Sequence, residues 1–161
     1  MSRSLLLILS LLLLATGSGL AQQGLPAQLR EVGIDQRLNE KIPLDLSFRD
    51  ETGRPVELGE YFGHKPVILS LVYYECPMLC TTVLNGLLAG MRAMPLHLGE
   101  HFEVVTVSFN PRETPALAAA KKEEYVRHYG RPGTGRSWHF LTGDEPSIRR
   151  LADSVSPGSV G

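Results

Sequence analysis

The stretch PVILSLVYYECPMLCTTVL, residues 66–84, decides the predicted fold because it changes from strand character to helix character around two cysteines. Residues 66–74 are β-branched and aromatic and carry no charge, which is typical of a strand buried on both faces of a sheet. We therefore predict that this strand is central. From Pro77 onward, apolar residues recur at spacings of three and four, which predicts an amphipathic helix ending near Pro95. Cys76 and Cys80 lie where the strand gives way to the helix.

The alternation of strand and helix continues along the chain. The further predicted elements are a strand at 104–109, a helix from 115 to about 129, a strand at 138–141 and a helix from 144 or 145 through 152. Thr114 suits the cap of the second helix and Pro115 its first position. Upstream, residues 44–48 and 55–58 flank a turn and predict a hairpin. Strands alternating with helices indicate βαβ units, so the predicted fold class is α/β.

Length and charge limit the classes of function. The chain has 161 residues, of which 43% are hydrophobic, and this is near the usual size of one domain. It carries 16 Lys and Arg against 17 Asp and Glu, so it has neither a basic stripe for nucleic acid nor an acidic tail. We expect a single domain without a nucleic-acid partner.

The N-terminus has the pattern of an export signal. Arg3 precedes an apolar run from Leu5 to Ala15, and small residues at Gly19 and Ala21 fit a cleavage site. We predict a signal peptide at 1–21, an extended lead-in segment at 22–41 and an unstructured tail at 156–161. The expected location is the periplasm or the outer face of the cytoplasmic membrane, with an uncleaved membrane tether as the alternative.

Cys76 and Cys80 are the candidate functional residues. At a helix N-terminus, unpaired backbone N–H groups and the helix dipole lower thiol pKa values from about 8.5 into roughly the 3.5–7.5 range. The thiolate is then available as a nucleophile or a metal ligand. Cys80 follows Cys76 by four positions, almost one helical turn, so both sulfurs share one face. They can form a disulfide or hold one soft cation, and two thiolates in an exported protein favour Cu(I).

Two segments together resemble the Sco/SenC family of copper-delivery proteins for cytochrome c oxidase. They are YYECPMLCTTVLNGL, residues 73–87, and VTVSFNPRETPALAAAKKEEYV, residues 105–126. A CxxxC pair with proline after its first cysteine makes the resemblance more specific than a lone CxxC. The resemblance implies a partial thioredoxin-like domain over residues 42–155, with copper as the bound metal.

The family resemblance also implies a site in which Cys76 and Cys80 bind copper together with a histidine. The family's histidine lies downstream of the segment that matches WHFLTGDEPSIRRLADSV, residues 138–155, and the sequence stops at Gly161. We therefore expect the domain to be truncated at its C-terminus and the third ligand to be missing. Asn110 also stands where the family more often has Asp, so no role is assigned to it.

Other polar residues are weaker candidates. None of the five histidines, His64, His97, His101, His128 and His139, is favoured as the replacement ligand, although His139 lies in an apolar strand where a buried imidazole needs a partner. Glu75 is interpreted as a solvated neighbour of Cys76. Met78 is interpreted as lining the turn or filling the core, and Tyr73 and Tyr74 as strand packing.

The leading functional hypothesis is a copper metallochaperone that delivers copper to the cytochrome c oxidase copper site or maintains its thiols. Its partner would be the subunit that holds that site, or another copper chaperone. The alternative is an extracytoplasmic thiol–disulfide oxidoreductase, with Cys76 as the attacking thiolate and Cys80 as the resolving thiol. A peroxiredoxin-like peroxidase fits the offset of the two cysteines less well.

Overall fold

A computed structural model describes residues 40–75 and 79–155. The predicted signal peptide at 1–21, the lead-in segment except for its last two residues, and the tail at 156–161 lie outside these residues, so the predictions about them stay untested. Within the described part of the chain, no helix is long and apolar enough to cross a membrane.

The described chain opens with a β-hairpin, as predicted. Strand β1, Ser47–Arg49, pairs antiparallel with β2, Pro55–Glu57. Asp50 organises the turn, because its buried carboxylate accepts hydrogen bonds from the Thr52 amide at 2.9 Å and the Arg54 amide at 3.0 Å. The paired strands are shorter than the predicted ranges. A short 3-10 helix, Leu58–Tyr61, follows β2.

A parallel sheet, three α-helices and a second short 3-10 helix, Thr134–Arg136, form the rest of the domain. Their bounds are Val67–Val72 for β3, Leu79–Ala93 for α1, Glu103–Ser108 for β4, Pro115–Tyr129 for α2, Trp138–Leu141 for β5 and Glu145–Val155 for α3. The strands run parallel in the order β3-β4-β5. The predicted α/β class and its βαβ units are confirmed.

Strand β4 occupies the middle of the described sheet, which corrects the prediction that β3 is central. Val105 of β4 pairs with Leu69 on one side and with His139 on the other. Among the described residues, β3 pairs with β4 alone, and five of its six side chains are half-buried. The prediction failed because an uncharged apolar run reports the covering of a strand's two faces and does not count its strand neighbours.

Each face of the sheet packs against a different set of elements, because successive strand residues point to opposite faces. On one face, α1 and α2 bury a cluster with Val104, Trp138 and Phe140. On the other face, the hairpin and α3 bury a cluster with Val105, Val107 and Leu141. The sheet is thus covered on both faces, and the carboxyl ends of its strands lie at one edge.

Helix α2 begins and ends where its sequence predicts. Thr114 Oγ1 accepts a hydrogen bond from the Leu117 amide at 3.4 Å, and Pro115 is the first helical residue. At the other end, Gly130 adopts a φ of 73°, which favours glycine, and its N–H donates to the Val126 carbonyl at 3.2 Å.

Candidate metal and thiol site

The two cysteines follow the carboxyl end of β3, the edge at which open α/β sheets bind their ligands. β3 ends at Val72, and α1 begins at Leu79 with Cys80 as its second residue. Cys76, Pro77 and Met78 lie outside the described residues, and the side chain of Cys80 is not described either. The prediction of a strand before the pair and a helix beginning at it is confirmed, although β3 spans Val67–Val72 and is shorter than the predicted 66–74. The roles of Cys76 and Cys80 as copper ligands or as a redox pair stay predictions.

A buried carboxylate anchors the backbone immediately before Cys76. Glu113 is 7% exposed, and its Oε2 accepts a hydrogen bond from the Tyr74 amide at 3.0 Å. Its Oε1 accepts from the Glu75 amide at 3.0 Å, and the Ser108 hydroxyl also donates to Oε2. Hydrogen bonds to a charged group contribute about 1.5–3 kcal/mol each. The peptide groups that lead into Cys76 are therefore fixed to the loop after β4.

Sequence reasoning did not single out Glu113. It lies in the loop that follows β4, the strand beside β3, and the ends of neighbouring parallel strands meet at one edge of a sheet. The acidic residue type in that loop is thus the sequence signal from which Glu113 could have been predicted as a partner of the cysteine turn. The signal is weak because exposed acidic residues are common in such loops.

Tyr74 fixes the same turn from inside the core. It is 2% exposed, and its hydroxyl lies 2.9 Å from the Thr106 carbonyl and 2.8 Å from the Leu141 carbonyl. Burial, and next the charge of Glu113, raise the pKa of Tyr74 well above its usual value of 10.0, so the phenol stays neutral. Its predicted role in packing is confirmed.

The two other residues of the turn face outward. Glu75 is exposed, in agreement with its interpretation as a solvated neighbour of Cys76. Tyr73 is 39% exposed, and its ring packs against the Phe109 ring at a tilt of 34°, with the ring centroids 3.9 Å apart. Tyr73 thus packs on one side and leaves the other open to solvent.

The histidines lie away from this turn or on the surface. His64, His97, His101 and His128 are exposed, whereas His139 is half-buried and packs against the Tyr61 ring at a tilt of 41°, with the ring centroids 4.4 Å apart. Val105 pairs with both His139 and Leu69, so His139 lies at the same height in the sheet as Leu69. Leu69 precedes Cys76 by seven residues. Among the side chains that the structure describes, no three His, Cys, Asp or Glu residues gather as a metal site.

A cleft of about 540 Å³ opens at the carboxyl edge of the sheet, between the hairpin and the loops after β4 and β5. Its lining includes Arg49, Arg112, Glu113, Thr142 and Asp144. Because Glu113 also binds the turn before Cys76, the cleft and the turn share one wall. The edge that carries the cysteines therefore offers both charged side chains and open volume.

Solved structures of known proteins resemble this chain, although no family model and no curated protein matches it. A provisionally named electron transfer protein from Aquifex aeolicus VF5 is 26% identical with a TM-score of 0.58, over 71% of this chain and 64% of that one. Apo Sco1 from Thermus thermophilus is 29% identical with a TM-score of 0.50, over 74% and 63%. Arabidopsis thaliana ScoI, solved with copper bound, is 25% identical with a TM-score of 0.52, over 68% and 62%.

The fold and these matches define a thioredoxin-like α/β protein. Within that class the chain resembles Sco proteins in structure, which agrees with the resemblance found in its sequence. It spans less than two thirds of the length of each of the three structures. The C-terminal truncation stays an expectation from the resemblance.

Proposed function

We propose that this protein binds copper as cargo through Cys76 and Cys80. It then delivers the copper to the copper site of cytochrome c oxidase, or keeps the thiols of that site reduced. The observation that carries the proposal is a CxxxC pair that follows β3 and opens α1 in a Sco-type fold. The plant relative that was solved with copper bound supports the choice of metal.

The two cysteine thiolates are suitable ligands for copper. Thiolates are soft ligands that select Cu(I), and two of them fall short of the four ligands of a structural zinc site. A site with few protein ligands leaves positions on the metal for a ligand from the receiving protein. The exposed side chains of Tyr73 and Glu75 show that solvent reaches the turn before Cys76, so a partner can approach it.

The proposal extends to location and partner. The predicted export signal at residues 1–21 supports a location in the periplasm or, if the signal stays uncleaved, on the outer face of the cytoplasmic membrane. The receiving protein is then the subunit that holds the oxidase copper site, or a second copper chaperone.

Copper binding by the reduced protein tests the proposal. We expect about one Cu(I) per chain, and we expect Cys76→Ala and Cys80→Ala each to abolish binding because a single thiolate cannot hold the ion. The measurement is competition with a chromophoric Cu(I) chelator. His64→Ala, which changes an exposed histidine, is the control and should bind like the unaltered protein. Undiminished affinity in both cysteine variants would overturn the proposal.

A second candidate is thiol–disulfide exchange, favoured by the thioredoxin-like fold and by the electron transfer name of the Aquifex relative. The Cys76 thiolate attacks a partner disulfide and releases one partner thiolate, which takes a proton. Cys80 then attacks the Cys76 sulfur and releases the second partner thiol, so the partner is reduced as Cys76 and Cys80 become a disulfide. Catalytic turnover of a peptide disulfide by copper-free protein, with dithiothreitol as reductant, supports this activity. Turnover that persists in Cys76→Ala contradicts it.

A further inference from the structure

The backbone ladder between β3 and β4 is continued by a side chain. The last backbone bond of this pair runs from the Phe109 amide to the Val72 carbonyl at 3.1 Å. Beyond it, the Tyr74 and Glu75 amides donate to the two oxygens of Glu113, each at 3.0 Å. A carboxylate can do this because both of its oxygens accept hydrogen bonds and neither donates.

Glu113 is itself held in a braced loop. Its N–H donates to the Asn110 carbonyl at 3.1 Å, and Asn110 Oδ1 accepts from the Arg112 amide at 3.1 Å. Ser108 Oγ accepts from the Asn110 amide at 3.1 Å and donates to the Glu113 carboxylate. Because these bonds fix the position of the Glu113 carboxylate, the carboxylate in turn fixes the position of the backbone that it binds.

We propose that Glu113 is a positioning residue of the Cys76–Cys80 site, an inference that rests on the proposed function of the pair. Its bonds to the Tyr74 and Glu75 amides fix the direction in which the chain enters Cys76. With that direction fixed, fewer positions are open to the Cys76 thiol, which favours its joint use with Cys80. Preorganisation of this kind raises the effective concentration of one thiol at the other.

The copper-free protein gives the main readout. Reduced dithiothreitol opens the Cys76–Cys80 disulfide to two thiols and becomes a cyclic disulfide, so two electrons and two protons pass between the two molecules. We expect Glu113→Gln to lower the equilibrium constant for forming the protein disulfide about tenfold, because the glutamine NH2 group donates and then faces one of the two backbone amides. Cu(I) affinity, measured by chelator competition, should fall by about tenfold or more.

Two further variants separate positioning from general stability. Glu113→Asp keeps the charge but is one methylene too short to bind both amides, so we expect its disulfide equilibrium constant to fall at least about threefold. This variant also decides the question if Glu113→Gln does not fold. Asp50→Asn is the matched control. It alters another buried carboxylate that holds a turn through two amides, and it should lower the melting temperature without changing the equilibrium constant.

The outcomes are distinct. The positioning role is overturned if Glu113→Gln has the same disulfide equilibrium constant as the unaltered protein. If Glu113→Gln does not fold, the same result in Glu113→Asp overturns it. An equal change in Asp50→Asn overturns it as well. If the unaltered protein binds no copper, the proposed copper function fails, while the disulfide equilibrium in copper-free protein still decides the role of Glu113.

Discussion

Burial distinguishes His139 from the other four histidines of the chain, which are all exposed. Burial, and next the positive charge of Lys122, lower the pKa of His139 below its usual 6.5, and the nearby carboxylates of Glu51 and Glu103 only partly oppose this. Glu103 Oε2 lies 3.6 Å from His139 Nε2, and the tilted Tyr61 ring packs against the imidazole with 4.4 Å between the ring centroids. The folded protein therefore holds a neutral His139 at neutral pH.

A lowered histidine pKa makes stability depend on pH in a defined direction. Below about pH 6.5 the unfolded chain binds a proton that folded His139 does not, so stability falls as the pH drops from 6.5 toward the lower folded pKa. We expect His139→Gln to reduce the loss of melting temperature between about pH 7.5 and about pH 5.5 by on the order of 2 °C. Differential scanning calorimetry at the two pH values measures it.

The control for this prediction is His64→Gln, which changes an exposed histidine. It should keep the full pH dependence of the unaltered protein. The same loss of melting temperature on acidification in His139→Gln would contradict the role given to His139.

At the scale of secondary-structure elements, the N-terminal cap of α2 yields a prediction about stability that is separate from the site. Thr114→Ala removes the hydrogen bond from the Leu117 amide, and the free energy of unfolding should fall by about 0.5–1 kcal/mol. The estimate lies in the lower part of the usual range because the bond is long, at 3.4 Å. Urea denaturation measures the change, and Thr114→Ser, which keeps the accepting oxygen, should remain close to the unaltered protein.

The same variant tests the independence of cap and site. Because Thr114→Ala leaves the bonds of Glu113 to Tyr74 and Glu75 in place, we expect its Cu(I) affinity to be unchanged. A cap variant that retains full stability would show that the Thr114 oxygen contributes nothing to α2.

Local sequence signals predicted the helices and strands well. The cap at Thr114 and the start of α2 at Pro115 were predicted from adjacent residues, and α3 extends three residues past its predicted end at Ala152. The position of β3 was predicted as central, whereas β3 is at an edge of the described sheet, because strand order depends on pairings between distant segments. Val67 and Glu103, which pair in the structure, are 36 residues apart along the chain.

At the scale of the whole molecule, contacts between distant residues connect the layers. Lys122 of α2 pairs with Glu51 of the hairpin turn, and Glu51 Oε2 also accepts from the Phe140 amide of β5 at 3.3 Å. On the opposite face, Arg150 of α3 lies 3.2 Å from Asp45. Such pairs join residues 71 to 105 positions apart, so periodicity and capping signals carry no information about them.

In the candidate site, too, local features could be predicted from the sequence and contacts between distant residues could not. The cysteine pair was identified from its spacing and from its place between a strand and a helix, which are local features of the sequence. Glu113 was missed because its partners Tyr74 and Glu75 are 39 and 38 residues away. Local sequence features therefore suffice to propose the cysteine pair, while the tertiary structure is needed to show that Glu113 binds the turn before it.

The Glu113 anchor also sets the time at which the site matures. The turn before Cys76 cannot gain its bonds to Glu113 until β4 and the loop after it have docked beside β3, and contacts over such separations form late. A nascent chain that has made only β3 and α1 carries its cysteines on an unanchored turn. The turn that leads into the proposed cargo site is thus completed only when the sheet has assembled.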